Sequence, residues 1–383
     1  DLLVSNDVNT RNCTQWYFFS IIGMIKDQEY CFNIINFDKS ASQYNSGMQP
    51  CVYSELSAEL ENKGWFRRGN NICYYQNLFS KTKGNVLGTM MEKKVSCYTL
   101  SFTDVHHYNN DRVYYSFCLP YTTTDCYNKM KLLQNVEINK NGSNKITFTD
   151  EKKDGILLRT ILCYTLSGLP VPLLTITNFN ATAKQISNRK YIMLSGRVHP
   201  GESPASYMID GLIDFLCSDH HIARKLRDIA VFKVVPMLNP DGVATGNHRK
   251  ENISEQLFLI FLIFLIFKFI FIPYFYTLGC NLAGHDLNRT WGAPSELLSP
   301  TIYHWKQLIS MQIDRRNNEI NSTSIEGIAD YVSASSSSSN NNNNIPTSDG
   351  VSMFCDFHAH SRSFNIFMYG CECSHTGNKT ITN

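Results

Sequence analysis

The sequence lacks a charge surplus of either sign. Lys and Arg number 35 against 33 Asp and Glu, a formal net charge of +2. That excludes a reading in which nucleic acid or an anionic membrane is the main partner. It also lacks any CxxC pair, although 13 cysteines are scattered from Cys13 to Cys373. An odd number without paired spacing is not the disulfide framework of a small secreted domain. The cysteines are therefore read as reduced thiols of a cytosolic protein. Cys371 and Cys373 could share a metal by their spacing, but the reading taken is two ordinary cysteines. Charged residues are only 18% and hydrophobic residues 43%, so a packed core is expected and wholesale disorder is excluded. The chain has 383 residues, enough for two ordinary domains or one large one. It opens on Asp1 and not on Met, so a fragment or a processed chain is expected. The lack of a signal peptide then carries no weight.

Residues 1–122 read as β. Tyr30–Phe37, Asn71–Tyr75, Val95–Thr103 and Arg112–Leu119 are short, β-branched and aromatic, and separated by polar turns. They predict a small antiparallel β-sandwich. Asp125–Val136 predicts a helix, and the charged stretch 137–154 an exposed excursion. From residue 156 the pattern changes. Pro172–Thr177, Tyr191–Gly196 and Ile229–Met237 are continuous apolar runs, as in strands buried on both faces. Ala205–Cys217 carries apolar residues near helical spacing, so residues 123–383 read as an α/β unit. Gln307–Arg316 predicts another helix and Met353–Phe357 another strand.

Two segments do not suit a compact domain. Residues 317–350 hold Ser335–Ser339 followed by Asn340–Asn344, and are read as a disordered loop. Leu257–Ile272 is apolar except for Lys268. A transmembrane helix, a buried helix and translated intron sequence compete there. Phe, Leu and Ile use T-rich codons, as does the pyrimidine tract before a 3′ splice site, and Thr277-Leu278-Gly279 could encode the TTAG that ends an intron. The intron reading is the one taken, and no functional membrane span is expected.

The chemistry is carried by His199-Pro-Gly-Glu202, set between a predicted strand and a predicted helix. Imidazole nitrogen and carboxylate oxygen three residues apart at such a turn suit zinc. Alone, the pair reads more readily as a histidine beside a helix-start glutamate. It is not alone. Asn239-Pro-Asp-Gly242, Gly246-Asn-His-Arg249, Gly284-His-Asp-Leu-Asn-Arg289 and Asp356-Phe-His-Ala-His-Ser361 follow in order.

This ordered set resembles the zinc carboxypeptidases of the carboxypeptidase A superfamily, and within them the cytosolic carboxypeptidases, which remove glutamates from protein tails. The phrases YNSGMQPCVYSE, GWFRRGNNICYY and FCLPYTTTDCYN resemble the accessory domain of that branch. The resemblance implies a mixed sheet flanked by helices, incomplete here, after the β-sandwich. It implies one zinc ion held by His199, Glu202 and His358, with His360 the runner-up third ligand. A His2Glu set leaves a position for water, whose pKa zinc lowers toward about 7. Arg249 would stabilise the developing oxyanion, and Asn288 and Arg289 would grip the substrate's terminal carboxylate. Acidic tails, tubulin among them, are the implied partners, in the cytoplasm and at microtubules or cilia.

Two departures stand out. In the family GNHR runs almost directly into CNLAGHDLNR, whereas residues 250–279 intervene here. A span there would also put Arg249 and Arg289 on opposite sides of a bilayer. Second, the family's catalytic glutamate lies well downstream of the third ligand, while this chain ends at Asn383. Glu372 sits too close to the preceding strand end to serve, so the chain as written is expected to be inactive or nearly so. The rival readings are a non-catalytic module binding zinc or acidic tails, and an aspartoacylase-like amidohydrolase.

Overall fold

The computed structural model describes residues 1–9, 14–83, 93–133, 152–153, 155–247, 281–326, 350–360 and 365–370. Arg249, the insert at 250–279, Cys371, Glu372, Cys373 and most of 137–154 and 317–350 lie outside them.

Seven strands come first: β1 (Phe18–Ile22), β2 (Glu29–Phe37), β3 (Cys51–Ser54), β4 (Phe66–Arg67), β5 (Asn70–Lys83), β6 (Lys93–Val105) and β7 (Arg112–Ser116), with helix α1 (Glu55–Glu61) after β3. They form two antiparallel sheets, ordered β1-β7-β3-β4 and β2-β6-β5. Alternation makes them: β7 turns Val113 and Tyr115 inward, and β2 turns Phe32 and Ile34 inward. Phe32 and Phe102 of one sheet meet Tyr115 of the other, with ring centroids 5.0–5.7 Å apart. The Tyr115 hydroxyl keeps a polar partner in that core by donating to Asp104 at 2.6 Å. The strands β1, β3 and β4 were not predicted. They are short, and their neighbours decide their pairing.

The second part opens with α2 (Thr123–Leu132), started by a capping box between Thr122 and Asp125. Then come β8 (Lys152–Lys153), β9 (Leu157–Tyr164), β10 (Pro170–Ile176), α3 (Ala183–Ser187), β11 (Lys190–Gly196), α4 (Ser203–Cys217), α5 (His221–Ile229), β12 (Ala230–Val235), α6 (Pro240–Ala244), α7 (Pro300–Glu326) and β13 (Val351–Phe357). The sheet is mixed, in the order β13-β11-β12-β10-β9-β8. β11 runs parallel to both β12 and β13, and the remaining pairs are antiparallel. Ile209, Ile213 and Leu216 of α4 pack with Leu174, Leu194 and Val234 on one face. Ile302 and Trp305 of α7 pack with Val171, Met193 and Val235 on the other. This helix–sheet–helix arrangement is why β10, β11 and β12 read as unbroken apolar runs.

Two expectations change. The excursion at 137–154 includes β8, whose Lys152 and Lys153 pair with Leu158 and Leu157. A strand at a sheet edge needs no apolar alternation, so its lysines concealed it. The loop at 317–350 is helical at its start, because α7 continues to Glu326. Backbone hydrogen bonding propagates cheaply once a helix is nucleated, even through polar residues. Among the described residues, no helix is long and apolar enough to cross a membrane, and the described cysteines are free thiols.

Candidate metal centre

Parallel pairing of β11 with β13 brings the site together. Gly196 is the register partner of Phe357, and Ser195 of Asp356. Both strands end at the same edge of the sheet, so His199 and His358 emerge side by side although they lie 159 positions apart. This is the carboxyl-terminal edge, where open α/β sheets present their ligand sites.

The turn after β11 is tightly held. Arg197 adopts φ 57, a left-handed conformation that a non-glycine residue takes at a cost. Its buried guanidinium donates to Pro200 O at 2.7 Å, Ser206 Oγ at 2.9 Å and Tyr121 O at 3.1 Å. Burial pulls its pKa down to about 10, which leaves it cationic at neutral pH. Gly196 lets α4 approach, since a Cβ there would stand 2.9 Å from Ile209 Cδ1. Ser203 Oγ donates to Leu119 O at 2.5 Å and Tyr207 OH to Pro120 O at 2.7 Å. Residues 119–121, which follow the β-sheets, are thereby fastened to the turn that carries His199 and Glu202.

Nδ1 of His199 lies 3.0 Å from Glu202 Oε1 and 3.2 Å from Nδ1 of His358. Nδ1 of His358 lies 2.9 Å from Glu202 Oε2. The opposite ring nitrogens meet carboxylates: His199 Nε2 stands 3.3 Å from Asp286 Oδ1, and His358 Nε2 2.9 Å from Asp356 Oδ2. With a cation at the centre, each Nε2 would keep a hydrogen for its aspartate and each Nδ1 would turn a lone pair inward. Two lone pairs and a carboxylate facing one point repel one another unless a cation lies between them. The separations are slightly under the edge of about 3.3 Å that a tetrahedron with bonds of about 2.0–2.1 Å requires. His199, Glu202 and His358 therefore fit a metal ion, and their donor atoms all lie within 4.8 Å of one another.

The electrostatics agree. Burial disfavours charge on Glu202, but the hydrogen bonds with His199 and His358 overcome it and hold the carboxyl well below the usual range. Burial also opposes charge on His358, yet Asp356 and Glu202 push it up to about 10. The pocket has a strong preference for positive charge at its centre, which a proton satisfies here.

Asp286 and Asp356, as orienting carboxylates, were quoted within sequence motifs but given no role. Their signal was an acid two residues before His358 and another inside GHDLNR. His360 is exposed and stacks near Phe367 and Tyr369, apart from the metal group. Asn288 is drawn toward the site because its backbone N–H donates to Asp286 Oδ1 at 2.9 Å. Arg289 lies exposed at the end of the same short 3-10 turn, Leu287–Arg289.

The model of the zinc carboxypeptidase family (Peptidase_M14) matches residues 150–383. Cytosolic carboxypeptidase 1 of Xenopus laevis is 36% identical over 382 residues, covering 98% of this chain and 25% of the relative. Cytosolic carboxypeptidase 4 of Mus musculus is 35% identical, covering 98% of this chain and 27% of the relative. The chain thus spans about a quarter of the length of these relatives. Two solved structures share its fold with a TM-score of 0.51 each. One is a metallo-carboxypeptidase from Burkholderia cenocepacia, 20% identical, covering 81% of this chain and 61% of that one. The other is a metallo-carboxypeptidase from Pseudomonas aeruginosa, 17% identical, covering 94% and 64%. With a family match over more than half its residues, on a site of two histidines and a glutamate, the chain belongs to the zinc carboxypeptidase family.

Proposed function

We propose that this is a zinc metallocarboxypeptidase of the cytosolic carboxypeptidase type, acting on C-terminal or branched glutamates of acidic protein tails such as those of tubulin. One observation carries the reading: Nδ1 of His199, Nδ1 of His358 and the Glu202 carboxylate converge while both Nε2 atoms are held by aspartates. His199, Glu202 and His358 hold one zinc ion. When bound, zinc supplies Lewis acidity, polarising a carbonyl and making water acidic near neutral pH. Asp286 and Asp356 keep the two imidazoles in the tautomer that ligation needs. Asn288 and Arg289 receive the terminal carboxylate, and Arg249 the developing oxyanion. The relatives' name supports a cytosolic location, with association to microtubules or cilia following from the substrate.

The two structural units are taken as residues 1–122 and 123–383. Support comes from Met130 of α2, which packs with Leu157 and Leu174 of the mixed sheet. The apolar stretch 250–279 is read as translated intron. Sequencing the mature transcript across those codons tests it, and a message that retains them overturns it.

The 383-residue chain itself is taken to be inactive or nearly so. In support, the described carboxylates at the centre are already engaged: Glu202 with both histidines, Asp286 with His199, Asp356 with His358. The test is release of glutamate from a polyglutamate peptide by the zinc-loaded chain. Turnover abolished by Glu202→Ala establishes the enzyme and overturns the inactivity. Zinc and peptide binding without turnover favours the tail-binding module, and hydrolysis of N-acyl amino acids favours the aspartoacylase type. Failure to take up stoichiometric zinc defeats the whole reading.

A further inference from the structure

A cleft of about 120 Å³ opens between the metal group and the β-sheets that precede it. Glu202, Ala359 and His360 form one wall, and Gln15, Lys39 and Arg67 belong to the other. None of its lining comes from 286–289, so it is separate from the segment assigned to the substrate terminus.

Two features of the β-sheet wall ask for a ligand. Gln15 lines the cleft and is 7% exposed, and its buried Oε1 has no hydrogen-bond partner among the described residues. An unpaired buried amide oxygen is destabilising, so a donor arriving in the cleft recovers that loss. The second is Arg67. Its neighbour Phe66 packs against the aromatic core, and strand alternation turns Arg67 the other way, toward the cleft. Its guanidinium donates to Gln49 O and has no carboxylate partner among the described residues. The next residue, Arg68, is by contrast ion-paired with Asp104, at 2.7 and 2.8 Å. Lys39 adds a second cation to the same wall.

We infer that this wall is a peptide subsite supplied by the β-sheets: Gln15 Oε1 accepts a backbone N–H of an extended substrate, and Arg67 pairs with an acidic side chain upstream of the bond to be cut. The inference rests on the carboxypeptidase reading and adds to it residues that select the body of an acidic tail, remote in sequence from every metal ligand. Lys39 strengthens the field at that position. Arg67 suits the task because a guanidinium offers a carboxylate two parallel donors while keeping its bond to Gln49.

The test uses the zinc-loaded chain and two fluorescein-labelled peptides, one ending in a run of glutamates and one in a matching run of glutamines, with binding read by anisotropy. The glutamate peptide binds more tightly. Arg67→Glu weakens it about tenfold or more and leaves the glutamine peptide nearly unchanged. Arg67→Gln, the gentler variant should the charge reversal impair folding, loses the same discrimination and flattens the salt dependence. Gln15→Leu weakens both peptides alike, because a backbone contact ignores the side chain. Zinc content stays stoichiometric in all three. Intact zinc with undiminished discrimination in the Arg67 variants, or a wild-type chain without preference for glutamate, overturns the subsite. A wild-type chain that takes up no zinc defeats the parent reading instead.

Discussion

Asp356 Oδ2 receives the Nε2–H of His358 at 2.9 Å, while its Oδ1 accepts the Ser195 hydroxyl at 2.8 Å from the adjoining strand. One carboxylate thus joins strand register to the aim of a proposed metal ligand. Asp356→Ala should lower zinc affinity by about 10–100-fold while the chain still folds. Chelator competition reads this directly. Affinity equal to wild type would show that strand geometry alone aims His358.

Zinc should stabilise the chain by mass action. At free zinc about 1,000 times its dissociation constant the gain is about 4 kcal/mol, visible as a rise in Tm. His199→Ala and Glu202→Ala should abolish that rise. Apparent affinity should also fall toward acid pH, because protons compete for Nδ1 and the carboxylate. A zinc-dependent rise that survives either substitution would place the metal elsewhere.

Arg197 organises the turn rather than touching the metal. Its buried charge is matched by three acceptors, and removing the guanidinium leaves Pro200 O and Tyr121 O short of a donor. Arg197→Met should cost about 3 kcal/mol in urea unfolding and loosen zinc as a consequence. A variant with normal stability but weakened zinc would argue for a direct role instead.

His106 gives the β-sheet core a pH response. Burial, the dominant cause, lowers its pKa beneath 6.5, while Asp104 pulls the other way. The folded state therefore binds fewer protons than the unfolded one. Its contribution is fully present above pH 6.5 and is lost as pH falls through the depressed folded value. Stability measured between pH 8 and 5 should decline on the acid side, and His106→Gln should flatten that decline. Identical slopes in the two proteins would remove His106 from the explanation.

Much of this was legible in order along the chain. The apolar runs that became β10, β11 and β12 announce a sheet covered on both faces, and the HxxE turn announces two donors for one ion. Edge elements were less legible, because β8 and β4 are held by neighbours and not by their own pattern. Gln15 was invisible: nothing distinguishes it from any polar residue until its amide is seen buried in the wall of the cleft that Glu202 also lines.

Local chemistry in the sequence determined which side chains can bind a metal, where the central buried strands lie, and which phrases mark the family. Tertiary structure decided the rest. The parallel pairing of β11 with β13 set His358 against His199, and the fold turned Asp286 and Asp356 onto the outer nitrogens. The physical reason is that register and sheet order arise from burying two apolar faces at once, and no short window of residues contains that balance.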